Sequence, residues 1–337
     1  MVLILGQRND ASTISVAEWL LYYDCNVVIL YTDDKNFKII SMSLQERKFL
    51  IKVNGETINL YDVDTVWNRR RGISPDEFTK QYVSQNSHGA FFMEKNDNYH
   101  YYHILEESKA VINFIHYLIE TEGVKVIGSY FYNDVNKLMV LDIAQKCGFR
   151  IPSTKIVTSK RDLETAYNEA SGKLITKAIC EGIYRPDVRD EYLYYSYVER
   201  ISMTDIKKFP DSFYPSLIQE EIDKSLDLRV FILENEFFAM AIFSQDREDA
   251  IVDYRKNDHI KNPLHFVPFE LPNNITKKIS VLMSRLKLNT GSIDLILDKK
   301  GEYYFLEINP CGQFAMTSLP CNYILEKKIA QILCQQK

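Results

Sequence analysis

SIDLILDKKGEYYFLEINPCGQF, residues 292–314, reads as two strands joined by a turn, with oxygen-bearing side chains set into otherwise apolar runs. Asp294 interrupts Ile293, Leu295, Ile296 and Leu297, Lys299-Lys300-Gly301 forms the turn, and a second run extends from Tyr303 to Ile308. Two such runs around a short glycine-containing turn pair as a hairpin, which brings Asp294 close to Glu307 and Asn309. Side chains alternate along a strand, so Glu307 and Asn309 share a face. Two carboxylates and one amide then converge on one point, an oxygen set that suits magnesium carried in with nucleotide phosphates. An ordinary hairpin with a wet face explains Lys299, Lys300 and Glu302. It does not explain polar residues inside the most apolar part of each strand.

The rest of the chain narrows the setting. Its 337 residues suffice for two or three packed units with sizeable cores. A formal charge of −5 offers no basic field for duplex nucleic acid. No stretch is apolar for long enough to cross a bilayer, and the opening MVLILG reads as a first strand rather than a signal peptide, with no charged leader or cleavage site around it. The six cysteines (Cys25, Cys147, Cys180, Cys311, Cys321 and Cys334) show no CxxC pair and no metal spacing, so reduced thiols in a cytoplasm are expected.

The first unit opens with a strand (Val2 to Leu5), a helix after Ser12 and Thr13 with Val16, Trp19 and Leu20 on one side, and a strand (Val27 to Tyr31), a βαβ start that implies a parallel sheet flanked by helices. Only Gly6 follows the first strand, so neither a dinucleotide fingerprint nor a phosphate-binding Walker loop is present. A strand ending at Trp67 runs into Arg69, Arg70 and Arg71, candidates for holding an acidic peptide segment or, equally, a solvated charge run. A later helix carries the stripe Val111, Phe114, Ile115 and Leu118, with His116 read as structural. The strand Val124 to Ile127 closes this unit. Expected next are a helix around Asn136 to Lys146, a strand at Lys155 to Thr158, and Lys177 at the end of an apolar strand. Strands over Tyr214 to Gln219, Asp227 to Ile232 and Phe237 to Phe243 follow, and a tyrosine-rich segment, 183–203, alternates like a hairpin after Asp190.

The trio of Asp294, Glu307 and Asn309 resembles the C-terminal metal site of the ATP-grasp ligases. LNTGSIDLI (288–296), FLEINPCGQF (305–314) and CNYILEKKIAQIL (321–333) look like the ribosomal-peptide maturases of that superfamily, most of all the grasp-with-spasm type related to the microviridin macrocyclases that make graspetides. NKLMVLDIAQKCGFRIPSTKIVTS (136–159) matches the same pattern of a lysine-bearing helix, a glycine stop and a strand after proline.

The resemblance implies a three-part α/β ATP-grasp fold: an N-terminal βαβ pre-ATP-grasp domain (1–128), a central α+β subdomain (129–217) and a C-terminal α+β metal and nucleotide subdomain (218–337). It implies ATP and Mg2+ as cofactors, with magnesium on Asp294, Glu307 and Asn309, and Lys137 and Lys177 on the phosphates. Adenine would lie against the backbone from Glu220 to Ile222, next to Gln219, and the ribose hydroxyls on a carboxylate, Asp227 in preference to Glu221. Lys177, Arg229 and Arg255 are the implied catalytic cations, Arg255 at the γ-phosphate, with Asp253 either locking that arginine or taking part in the chemistry. Cys311 is read as packing.

Tyr192, Tyr194, Tyr195 and Tyr197 are candidates for binding the leader of a precursor peptide, against the alternative of a half-buried sheet. The expected activity is an ADP-forming ligase that activates Asp or Glu side chains of a ribosomal precursor peptide, with a leader and a Thr/Ser/Asp/Glu-containing core, as acylphosphates and closes ω-ester or ω-amide rings. A ligase joining an amino acid to a small molecule or protein C-terminus, and a non-catalytic peptide-binding homologue, stay open as alternatives. A cytoplasmic homodimer that binds neither nucleic acid nor membrane completes the expectation.

Overall fold

The computed structural model describes residues 1–31, 37–70, 72–85, 98–121, 124–180, 184–186, 193–195, 197–245, 247, 250–256 and 263–334. Among these, the βαβ start is present as β1 (Val2–Gly6), α1 (Ala11–Tyr22) and β2 (Val27–Tyr31). Next come β3 (Lys38–Ser43), β4 (Lys48–Val53) and β5 (Glu56–Asn59), a separate antiparallel sheet, and then β6 (Thr65–Asn68), α2 (Pro75–Gln85), α3 (Asn98–Thr121) and β7 (Lys125–Ile127). The parallel sheet runs β2-β1-β6-β7. From β1 the chain turns first to one side and later to the other, so the C-terminal ends of β1 and β6 border a switch point, where open parallel sheets hold ligands.

The expected stripe on α3 is largely present: Ile115 and Leu118 are buried and Phe114 packs on the same core, while Val111 is 37% exposed and Ile112 and Ile119 join the buried face against Leu3, Leu5 and Val66. The sheet takes the flank of the stripe that offers more aliphatic surface to bury.

The middle of the chain contains α4 (Lys137–Lys146), β8 (Thr154–Ser159), α5 (Lys160–Glu169), β9 (Leu174–Lys177), β10 (Tyr184–Pro186), β11 (Leu193–Tyr195), β12 (Glu199–Ile201), α6 (Met203–Lys208) and β13 (Ser212–Glu220). Asn136 caps α4, its side chain accepting from Leu138 N and Met139 N, and Gly148 stops it at a φ of +83° that favours glycine. The antiparallel sheet order is β12-β9-β13-β8. The tyrosine-rich hairpin exists, but its strands straddle Asp190 rather than follow it: Tyr184 pairs with Tyr195 and Arg185 with Tyr194. Tyr192 lies outside the described residues.

The last part contributes β14 (Lys224–Leu233), β15 (Glu236–Phe243), β16 (His265–Phe269), α7 (Asn273–Leu286), β17 (Thr290–Asp298), β18 (Tyr303–Asn309), α8 (Ala315–Cys321) and α9 (Leu325–Cys334). Its antiparallel sheet runs β16-β15-β14-β17-β18. One face rests on α4 and α7 through Val140, Leu141, Ile279, Leu282, Val230, Ile293 and Phe305. At the expected hairpin turn, the Asp298 side chain accepts from Lys300 N and Glu302 N at 2.8 Å each.

The C-terminal α9 returns to α1: Leu325, Ile329, Ala330 and Leu333 share a core with Val16, Ala17 and Leu20. At the ends of these helices Cys25 and Cys334 lie side by side with Cα atoms 6.2 Å apart, within the reach of a disulfide, a proximity that the expectation of six reduced thiols did not include. The pair is separated by 309 residues, so no local spacing announces it.

Candidate active site

The open face of the five-stranded sheet carries one charged rung. Arg229 on β14 lies opposite Asp294 on β17, which lies opposite Glu307 on β18. A register shift between Asp294 and Leu295 falls at this rung, the kind of irregularity that re-aims a side chain beside a site. Arg229 Nη1 is 2.7 Å from both Asp294 oxygens, and Lys137 Nζ, reaching over from α4, is 3.1 Å from Glu307 Oε2. Asn309 stands one alternation beyond Glu307, opposite Ser292.

These neighbours drive the two acids apart. Burial raises the Asp294 carboxyl above its usual range, although Arg229 opposes the shift. Burial acts on Glu307 as well, but Lys137 and Lys177 outweigh it and leave Glu307 below its usual range. Lys177 is itself pushed down, chiefly by burial and further by Lys137, with Glu307 opposing.

A cavity of about 760 Å³ opens over this rung. Of the expected site residues it brings together Lys137, Lys177, Tyr197, Asp227, Arg229, Arg255, Asp294, Glu307 and Asn309. Arg255 grips Asp253 as a fork, Nε to Oδ1 at 2.8 Å and Nη2 to Oδ2 at 2.6 Å, so the locking contact considered for Asp253 is present. Asp227 is buried and already held, with Lys224 Nζ 2.7 and 2.8 Å from its oxygens and the Ser244 hydroxyl donating at 2.6 Å.

Gln219, Glu220, Glu221 and Ile222 do not line this cavity. Gln219 donates to Thr154 Oγ1 at 2.8 Å, the backbone N–H groups of Glu220 and Glu221 reach Ser153 O and Lys173 O at 2.9 Å, and the Glu221 carboxylate pairs with Arg200.

Two wall residues come from the switch point, Gln7 after β1 and Arg70 after β6. Of the arginine run, Arg69 turns inward and is 3% exposed, so it is no surface holder of an acidic segment; Arg70 faces the cavity; Arg71 lies outside the described residues. No local pattern separates three consecutive arginines, because strand alternation has ended where they begin. Cys311, Gln313 and Met316, just past β18, also line the cavity.

The oxygen set fits magnesium. Two carboxylates and an amide face a cavity ringed by cations, and among the described residues no cage of three His, Cys, Asp or Glu side chains exists. A metal here therefore requires phosphate oxygens and water to complete its shell, as magnesium in nucleotide sites does.

No protein-family model matches the chain, and no curated protein matches it. The architecture that surrounds the cavity is nevertheless the ATP-grasp fold, as the sequence resemblance implied. A RiPP-associated ATP-grasp ligase of Chryseobacterium gregarium, solved with ADP and a leader and core peptide, matches with a TM-score of 0.76 at 22% identity, over 99% of this chain and 95% of that one. The macrocyclase MdnC of Microcystis aeruginosa MRC, bound with precursor peptide MdnA, matches with a TM-score of 0.74 at 24% identity, over 99% of both chains. D-alanyl-alanine synthetase A of Vibrio cholerae matches less closely, with a TM-score of 0.58 at 12% identity over 99% and 96%. Fold is what these likenesses establish; chemistry is carried by the residues of the site.

Proposed function

We propose that this chain is an ADP-forming ligase that activates Asp or Glu side chains of a ribosomally made precursor peptide and closes ω-ester or ω-amide rings. The observation that carries the reading is the rung of Arg229, Asp294 and Glu307, which shares one cavity with Asn309, Lys137, Lys177 and Arg255. Asp294, Glu307 and Asn309 would hold magnesium, whose charge offsets that of the phosphates when bound. Lys137, Lys177 and Arg255 supply further positive charge around the transferring phosphoryl group, and Arg229 orients Asp294. A peptide carboxylate attacks the γ-phosphorus, the bond to ADP breaks, and a Ser or Thr hydroxyl or Lys amine then displaces phosphate from the acylphosphate. No protein nucleophile is required, so Cys311 has no covalent role.

The peptide reading draws on the C. gregarium ligase and MdnC, both solved with peptides bound. Arg70 and Gln7, which line the same cavity, add donors for an acidic side chain, and Tyr197 brings the end of the tyrosine-rich segment to the cavity. In this reading the segments 1–128, 129–217 and 218–337 act as units, and Glu220 to Ile222, outside the cavity lining, would frame an adenine that extends beyond it. We include a cytoplasmic homodimer in the proposal; among the described residues no helix is long and apolar enough to cross a membrane.

Glu307→Gln tests the site. The variant is expected to fold with unchanged melting while magnesium-dependent ADP release falls at least a hundredfold; near-normal ADP release would sink the assignment.

A further inference from the structure

Arg69 is buried and does not line the cavity, and one of its bonds reaches across 242 residues of sequence to the segment after β18. Its Nη1 donates to Cys311 O at 2.9 Å, its Nε is 3.0 Å from Asp10 Oδ2, and its guanidinium lies 5.6 Å from the centre of the Phe314 ring. Asp10 is equally committed: it also accepts from Thr13 Oγ1 at 2.7 Å and pairs with Arg70 at 3.0 Å. Burial opposes ionisation of Asp10, but Arg69 and Arg70 hold its carboxyl below the usual range, so the clamp is charged.

The clamped segment is the turn that leaves β18. Gly312 N donates to Asn309 O at 3.0 Å, closing the turn on Asn309 itself. From the other side Gly312 presses on β17, where an added Cβ would lie 2.2 Å from Ser292 Oγ and 2.6 Å from Ser292 N. Residues 310–314 are therefore gripped between Ser292, two positions from Asp294, and Arg69. Phe314 is wedged below, its ring 6.2 Å from Trp67 and 5.4 Å from Phe231.

We propose that Arg69, fixed by Asp10, is a positioning residue that sets the Asn309 end of the metal site, so that the first parallel sheet controls magnesium affinity without touching the metal. The assignment rests on the magnesium-nucleotide reading of the cavity. A guanidinium serves the Asp10 carboxylate and the Cys311 carbonyl at once through separate N–H groups, whereas a lysine ammonium is a single point that cannot span both.

Calorimetric titration of the full chain with ADP, once with magnesium and once with chelator, separates positioning from plain stability. The wild type is expected to bind ADP more tightly with magnesium. Arg69→Lys is expected to lose tenfold or more of that magnesium-dependent gain while its affinity for ADP in chelator stays within about twofold of wild type. A variant with the full wild-type gain, or one that loses affinity equally in both conditions, overturns the proposal. If Arg69→Lys does not fold, Asp10→Asn replaces it under the same criteria. A wild type whose ADP affinity ignores magnesium would instead overturn the reading of the cavity, a result seen before any variant is compared.

Discussion

Asp294, Glu307 and Asn309 stood out in the sequence because a polar residue inside an apolar strand is costly unless it has partners, and the fold gives the two acids Arg229 and Lys137. The residues that hold them were less legible. Arg229 entered only through the resemblance, and Arg69 and Arg70 lie where no periodicity separates inward from outward.

His116, read as structural, is so in fact, and it makes a pH prediction. It is fully buried with its ring stacked on Tyr130 at 3.7 Å, and among the described residues neither ring nitrogen has a hydrogen-bond partner. Burial pushes its pKa from 6.5 down to about 3. Between those values the unfolded chain binds a proton that the folded chain refuses, so stability is present above about pH 6.5 and falls as pH falls, by up to about 1.4 kcal/mol per pH unit. Urea melts at pH 7 and 5 should show this loss in the wild type and a smaller one in His116→Leu. Equal losses would mean that His116 takes up no share.

At the scale of elements, the β17–β18 hairpin was readable because its turn and both of its strands lie within 23 consecutive residues. The sheet of β3, β4 and β5 was missed because only β4 buries a clear alternation, Phe49, Ile51 and Val53, while β3 is mostly exposed. On α3 only the edge of the stripe was out of reach, Ile112 and Ile119 in place of Val111, because packing against the sheet sets it. For the β10–β11 hairpin, backbone pairing is established and peptide docking is the proposal. A side chain that modifies a variable core must leave recognition to a separate leader, and aromatic anchors at peptide interfaces typically contribute on the order of 1 to 4 kcal/mol each. A Tyr194→Ala, Tyr195→Ala double variant should keep wild-type ADP affinity and lose about tenfold or more in affinity for the leader peptide, measured by titration. Unchanged leader affinity would move docking off this hairpin.

For the molecule as a whole, the long-range joins were beyond sequence reasoning. Gln7 and Arg70 line the same cavity as Asn309 and Cys311 only because the switch point of the first sheet faces the last sheet. The same holds for α9, which closes back on α1. Ile329→Ala removes a buried side chain from that junction, 1% exposed, and should cost about 2 to 5 kcal/mol of unfolding free energy in a chemical melt. A loss below about 0.5 kcal/mol would mean that the helix is dispensable to the core. Cleavage of ATP to ADP coupled to ring closure in a peptide is read by incubating the full chain with ATP, magnesium and an acidic, Ser/Thr-rich precursor encoded beside its reading frame, then following peptide mass and nucleotide together. One ADP is expected for each water lost from the peptide, with no AMP; AMP as the product, or ADP release with the peptide mass unchanged, would rule the proposed activity out.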